Sequence, residues 1–144
     1  LGYFQRVLRQ SGIIDRLEEM GITVTRGIGG TGLVGTLKKG TRPNAVGLRT
    51  DIDANAITEQ GNPPWKSQNP GRMHACGHDG HTAIGLGLAH TLKQFESGLH
   101  GVIKLIFQPA EEGTRGARAM VDAGVVDDVD YFTELYRHKS ASIV

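Results

Sequence analysis

Residues 73–81 read Met-His-Ala-Cys-Gly-His-Asp-Gly-His, and four of them (His74, Cys76, His78 and His81) carry side chains that bind metal ions. The whole chain has six His and one Cys, so an eight-residue window would hold about 0.4 such residues by chance. A thiolate beside imidazoles is the donor chemistry that holds zinc or a similar borderline divalent ion. Cys76 and His78 are two apart with Gly77 between them. Residues at that spacing do not share a helix face, so they converge only from a loop, which the glycine permits. The bland alternative is a buried thiol followed by a histidine capping a helix. Four donors packed together favour the metal reading. His81 follows His78 by three residues and is either a further polar group of the site or a donor that steadies a ligand. His74 lines the same stretch. Asp79 suits a helix start, where a negative charge meets the positive end of the helix dipole.

Two acidic motifs flank this cluster. Glu111-Glu112 follows an apolar run through Gln108-Pro109-Ala110. Ligand and catalytic groups in α/β sheets collect beyond the carboxyl ends of strands, and adjacent carboxylates on a turning backbone point different ways. One can therefore hold a metal while the other takes a proton from water, the division of labour that metal-assisted hydrolysis requires. By itself the pair could equally be a solvated acidic turn. Asp51-Ile52-Asp53 also follows a β-like stretch. An Asp there can be a ligand, can accept the N–H of a ligating His and so fix its tautomer, or can form an ordinary Asx turn.

The elements that must position these groups follow from periodicity. Residues 2–20 carry Phe4, Val7, Ile14 and Leu17 at helical spacing, with Gly21 as the stop. Strands are expected at Ile22–Thr25, Leu33–Leu37, Ala45–Thr50, Val102–Phe107 and Val129–Thr133, the fourth apolar enough to be covered on both faces. Residues 60–72, with three prolines, read as a loop. Helices are expected from His78 to about Phe95, with Ile84, Leu88, Leu92 and Phe95 marking one face, and over 114–123. Gly85 and Gly87 each cost that helix about 1 kcal/mol against Ala, tolerable where something packs close. Strands alternating with helices predict an α/β layered fold. Gly27-Ile28-Gly29-Gly30-Thr31-Gly32 fits a dinucleotide-binding fingerprint, with Asp51 and Asp53 at the right distance. That fingerprint needs a helix after the last glycine, and Leu-Val-Gly-Thr-Leu follows instead, so a Gly-rich hairpin is the reading. No G-x-S-x-G sequence supports serine catalysis.

Composition limits the partners. The 144 residues suit one domain. With 16 basic and 15 acidic residues and no basic stripe, neither nucleic acid nor an anionic membrane is an expected partner. No apolar run reaches the roughly 20 residues of a membrane span, and no leader-like segment opens the chain. One cysteine precludes an internal disulfide and fits a reducing compartment, the cytoplasm by default.

Three segments together resemble one family. Gly47-Leu48-Arg49-Thr50-Asp51-Ile52-Asp53-Ala54, Met73 to Thr82, and Phe107-Gln108-Pro109-Ala110-Glu111-Glu112-Gly113 resemble, in order, the first, second and third motifs of the M20 metallopeptidase/amidohydrolase family, in its amidohydrolase branch. The resemblance covers about residues 1–133. It implies a three-layer α/β/α zinc-peptidase-like catalytic domain, present here as its N-terminal portion, with a smaller inserted domain used in dimerisation by full-length relatives. It implies hydrolysis of an amide in an N-acyl or N-aroyl amino acid, a small-molecule substrate, using one or two divalent ions, zinc or manganese. Cys76, His78 and Glu112 would be ligands, with Cys76 placed to bridge two ions. Glu111 would be the general base, and Asp53 would orient the metal site. Both ends of the chain look cut. Where the family continues to a further ligand His this chain has Tyr136, with His138 two residues on, so 134–144 is expected to be an atypical tail left by a frameshift or truncation. A truncated, catalytically inactive metal-binding fragment is the alternative reading of the whole chain.

Overall fold

The computed structural model describes residues 10–113 and 115–134. The start of the first expected helix, and residues 135–144 of the expected tail with Tyr136 and His138, lie outside the described residues, while Glu134, the tail's first residue, is described as the end of a strand. Helix α1 (Gln10–Glu19) is followed by strands β1 (Thr23–Ile28), β2 (Gly32–Lys39) and β3 (Ala45–Asp51), helix α2 (His78–Gln94), a 3₁₀ turn (Glu96–Gly98), strand β4 (Gly101–Gln108), helix α3 (Gly116–Asp122) and strand β5 (Tyr131–Glu134). No helix among the described residues is long and apolar enough to cross a membrane.

The five strands form one sheet in the order β1-β2-β4-β3-β5. β1 and β2 are an antiparallel hairpin that turns through Gly29 and Gly30, so the fingerprint glycines do build a hairpin. β2 pairs antiparallel with β4, while β3 runs parallel to both β4 and β5. The β3–β4 register places Asp51 opposite Gln108. The segments carrying Asp51, Asp53, Glu111 and Glu112 therefore leave the sheet side by side at its carboxyl edge.

Alternation along β2 and β4 divides the core in two. Leu33, Leu105 and Phe107 face one side and pack with Ile13, Ile14 and Leu17 of α1 and Leu86 and Ala89 of α2. Val34 and Ile106 face the other and pack with Met120 of α3 and Val125. Helices thus cover both faces, the three-layer α/β/α arrangement. α1 ends where expected: Gly21 takes φ 70, its N–H donates to Glu18, and the Ile22 N–H donates to Leu17. This is a Schellman stop, whose accompanying apolar contact is Ile22 on Leu17.

Three expectations are corrected. The third helix begins at Gly116 rather than 114, because Arg115 sits at φ 64, outside helical space. β1 runs on to Ile28, past the expected Thr25, because pairing with β2 carries Thr25 and Arg26 into the ladder. The buried face of α2 is not the Ile84/Leu88/Leu92/Phe95 stripe. Ile84 and Phe95 are exposed, and the helix buries His78, His81, Thr82, Gly85, Leu86 and Ala89. Small and polar residues face inward because the helix lies very close to the sheet. A Cβ on Gly85 would come within 2.7 Å of Thr50 Cγ2 and 3.3 Å of Phe107 Cε1, whereas one on Gly87 would meet nothing within 4 Å.

The two glycines therefore predict opposite outcomes. Gly85→Ala is expected to destabilise the fold by about 1–2 kcal/mol, overpacking outweighing the gain in helix propensity. Gly87→Ala is expected to stabilise it by about 0.5–1 kcal/mol. Urea unfolding midpoints at unchanged slope measure both. Equal shifts for the two variants would contradict the close helix–sheet approach.

Candidate metal centre

The loop that enters α2 delivers the donors. Gly77 takes φ 119, a backbone conformation that needs glycine, and α2 starts at the next residue. This reversal leaves Cys76 exposed on the loop and His78 buried at the first helical position. Glu112 arrives from the turn after β4, where Ala110 at φ 52 and Arg115 at φ 64 hold a tight, uncommon backbone path. One ligand-capable atom each from Cys76, His78 and Glu112 lie within 4.8 Å of one another.

Neighbouring groups set the histidine's tautomer. His78 Nδ1 lies 3.0 Å from the Asp53 carbonyl oxygen and 3.4 Å from Asp53 Oδ1. Both are acceptors, so Nδ1 carries the proton and Nε2 presents a lone pair. Around Nε2 stand Glu111 Oε2 at 3.6 Å, Asp51 Oδ2 at 3.8 Å and Glu112 Oε1 at 4.0 Å. Asp51 is paired there with Arg49, and the Glu111 and Glu112 carboxylates beside the same lone pair make a setting that favours a bound cation. Sulfur, imidazole and carboxylate donors, with the imidazole already oriented from behind, fit a divalent ion of the zinc type.

The groups behind the donors are tightly tied. Asp53 Oδ2 accepts the Glu112 N–H at 3.1 Å, so Asp53 holds both His78 and Glu112. Asp51 is buried and accepts from His81 Nδ1 at 2.7 Å, while Thr82 Oγ1 donates to the Asp51 carbonyl at 3.2 Å. Arg49 approaches Asp51 Oδ2 at 3.3 Å and donates to Gln108 Oε1 at 2.9 Å. His81 also stacks on His78, with ring centroids 5.9 Å apart. His81 is thus a steadying group, and the partner it steadies is Asp51. Burial lowers the His74 imidazole pKa from its ordinary value, with Asp79 partly opposing this.

All five residues singled out from the motifs meet here. Cys76, His78 and Glu112 converge, Glu111 stands beside His78 Nε2, and Asp53 lies behind. Two further contributors were not singled out from the sequence, Arg49 inside the first motif segment and Asn55 just beyond it. Arg49 and Asn55 flank the Asp51–Asp53 segment, and Asn55 Nδ2 donates to Glu112 Oε1 at 2.7 Å.

The donors thus gather at the carboxyl edge of the parallel strands of a layered α/β fold, where ligand and catalytic groups of such folds collect. The model of Peptidase family M20/M25/M40 matches residues 47–139, and the chain belongs to that family. It is 67% identical over 115 residues to a p-aminobenzoyl-glutamate hydrolase subunit of Escherichia coli (strain K12), covering 75% of this chain and 26% of that protein. It is 64% identical over 115 residues to indole-3-acetyl-aspartic acid hydrolase of Enterobacter agglomerans, with the same coverage of 75% and 26%. Among solved structures it is similar to the Bacillus subtilis YXEP protein, described as a dinuclear metal binding peptidase from the M20 family, at 39% identity and TM-score 0.81, covering 89% of this chain and 36% of that one. The chain therefore spans about a quarter of the length of the two curated relatives, 26% of each.

Proposed function

We propose that this chain contributes the metal-holding part of an amidohydrolase that cleaves the amide of an N-acyl or N-aroyl amino acid. The observation that carries the reading is the convergence of Cys76, His78 and Glu112 donors within 4.8 Å, with Glu111 beside them. In this reading those three residues hold a divalent ion, zinc or manganese, as one ion or as one of a pair. When bound, such an ion supplies Lewis acidity, lowering the pKa of water and polarising the amide carbonyl.

The remaining work falls to side chains. Glu111 accepts a proton from the attacking water and returns it to the leaving amine. Asp53 fixes the His78 tautomer and the Glu112 backbone. Asp51, held by His81 and Arg49, keeps negative charge beside the His78 lone pair. A cavity of about 590 Å³ opens beside Asp53 and Glu112, lined by apolar Ile13, Ile52, Ala54 and Pro109 and by polar Thr31 and Arg72. Its size and the apolar part of its lining suit an acyl or aroyl group. Two relatives are named for glutamate and aspartate conjugates, which favours an acidic amino acid as the leaving half. Cys76 as a thiolate ligand suits a reducing compartment, the cytoplasm.

A second reading keeps the metal held by Cys76, His78 and Glu112 without amide turnover by this chain. Release of p-aminobenzoate from p-aminobenzoyl-glutamate separates the two. Turnover that disappears on chelation and returns with zinc or manganese supports the first. Metal uptake without turnover supports the second, and turnover unaffected by chelation contradicts both.

A further inference from the structure

Asn55 lies two residues beyond Asp53 and joins three segments of the site. Its Nδ2 donates to Glu112 Oε1 at 2.7 Å, and its Oδ1 accepts the Ala75 backbone N–H at 3.0 Å. Its own backbone pairs both ways with Met73, Asn55 N–H to Met73 O at 2.9 Å and Met73 N–H to Asn55 O at 3.2 Å. One residue thus closes the base of loop 56–72, holds the backbone N–H of the residue before Cys76, and grips the carboxylate of Glu112.

We propose that Asn55 is a positioning residue for the metal ligands, acting through the Glu112 carboxylate and the Cys76 loop. This rests on the reading of Cys76, His78 and Glu112 as ligands. The Glu112 side chain is 39% exposed, so directed hydrogen bonds, not packing, must keep it from swinging into water. Its backbone is pinned by Asp53 Oδ2 and its carboxylate by Asn55 Nδ2. The Glu112 oxygen that Asn55 holds is the one 4.0 Å from His78 Nε2, so the restraint acts on the side of Glu112 that faces the other donors. A carboxamide gives an N–H to Glu112 while taking one from Ala75, without adding charge. An aspartate would set a further carboxylate against Glu112 in a site already containing Asp51, Asp53 and Glu111. A lysine would supply a cation that competes with the metal for the same oxygens.

The test uses zinc and cobalt(II) on the whole chain. Zinc affinity is measured by competition with a chromophoric chelator. The cobalt(II) spectrum reports coordination geometry and the thiolate-to-metal absorption of Cys76. Asn55→Ala is expected to weaken zinc binding about 10–100-fold, the usual effect of removing a group that orients a ligand, and to shift the cobalt bands. Asn55→Asp is nearly isosteric and keeps the acceptor for Ala75 while losing the donor to Glu112, so it remains readable even if Asn55→Ala loosens the loop. A comparable fall in affinity is expected for it. Wild-type affinity and an unchanged cobalt spectrum in both variants, with only the metal-free melting temperature lowered, would make Asn55 a purely structural residue and overturn the proposal. Absence of zinc and cobalt binding by the unsubstituted chain would overturn the ligand reading and this proposal with it. A weakened Cys76→Ala control beside unaltered Asn55 variants would overturn this proposal alone.

Discussion

Glu111→Gln is expected to reduce amide turnover by about 10²–10⁴-fold, the range for removing a general base, while leaving metal affinity nearly unchanged. Glu111 Oε2 is 3.6 Å from His78 Nε2 and its side chain is 42% exposed. It is near enough to the donors to reach a water held there, yet it is not one of the three residues whose donor atoms converge. Glutamine preserves size and hydrogen-bonding reach and removes the proton acceptor, so the substitution separates chemistry from coordination. The check is kcat at saturating metal, with metal affinity measured on the same preparation. A loss of metal in proportion to the loss of turnover would make Glu111 a ligand. Undiminished turnover would place the base elsewhere.

Metal is expected to stabilise the unsubstituted chain and to leave Cys76→Ala unmoved. A ligand that binds only the native state stabilises it by about 2.7 kcal/mol at 100 times its Kd. Cys76 is exposed, so its replacement removes a donor without opening a hole in the core, and the metal-free variant should melt close to the metal-free parent. The buried His78, tied to the Asp53 carbonyl at 3.0 Å, would not give so clean a comparison. Melting curves with and without zinc measure the difference. An equal metal-induced shift in parent and variant would remove Cys76 from the donor set.

The sequence disclosed this site better than it disclosed the packing behind it. Cys76, Gly77 and His78 are adjacent, so their chemistry and the turn between them are visible locally, as is the helix start that follows. The Gly-rich 27–32 stretch is readable as a hairpin because β-like residues follow it. The inward face of α2 was hidden because inward residues there are chosen for closeness to the sheet, not for apolarity. Gly85 and Thr82 are buried where Ile84 is exposed. Hydrogen bonds spanning long stretches were legible only in kind: an Asp of the 51–53 segment was expected to accept from a histidine, but which residues pair was hidden. His81 reaches Asp51 across 30 residues and Asn55 reaches Glu112 across 57, and no periodicity or motif in either segment announces the partner. Arg115 at φ 64 shortened the third helix in a way that propensity alone does not signal.

Whether this chain holds metal through Cys76 decides everything built on the site. The decisive measurement is elemental mass spectrometry of the purified chain and of Cys76→Ala, each exposed to zinc and manganese and then dialysed free of excess. Near-stoichiometric metal in the parent and little in the variant is the predicted result. Metal absent from both, or present equally in both, would contradict the centre built from Cys76, His78 and Glu112.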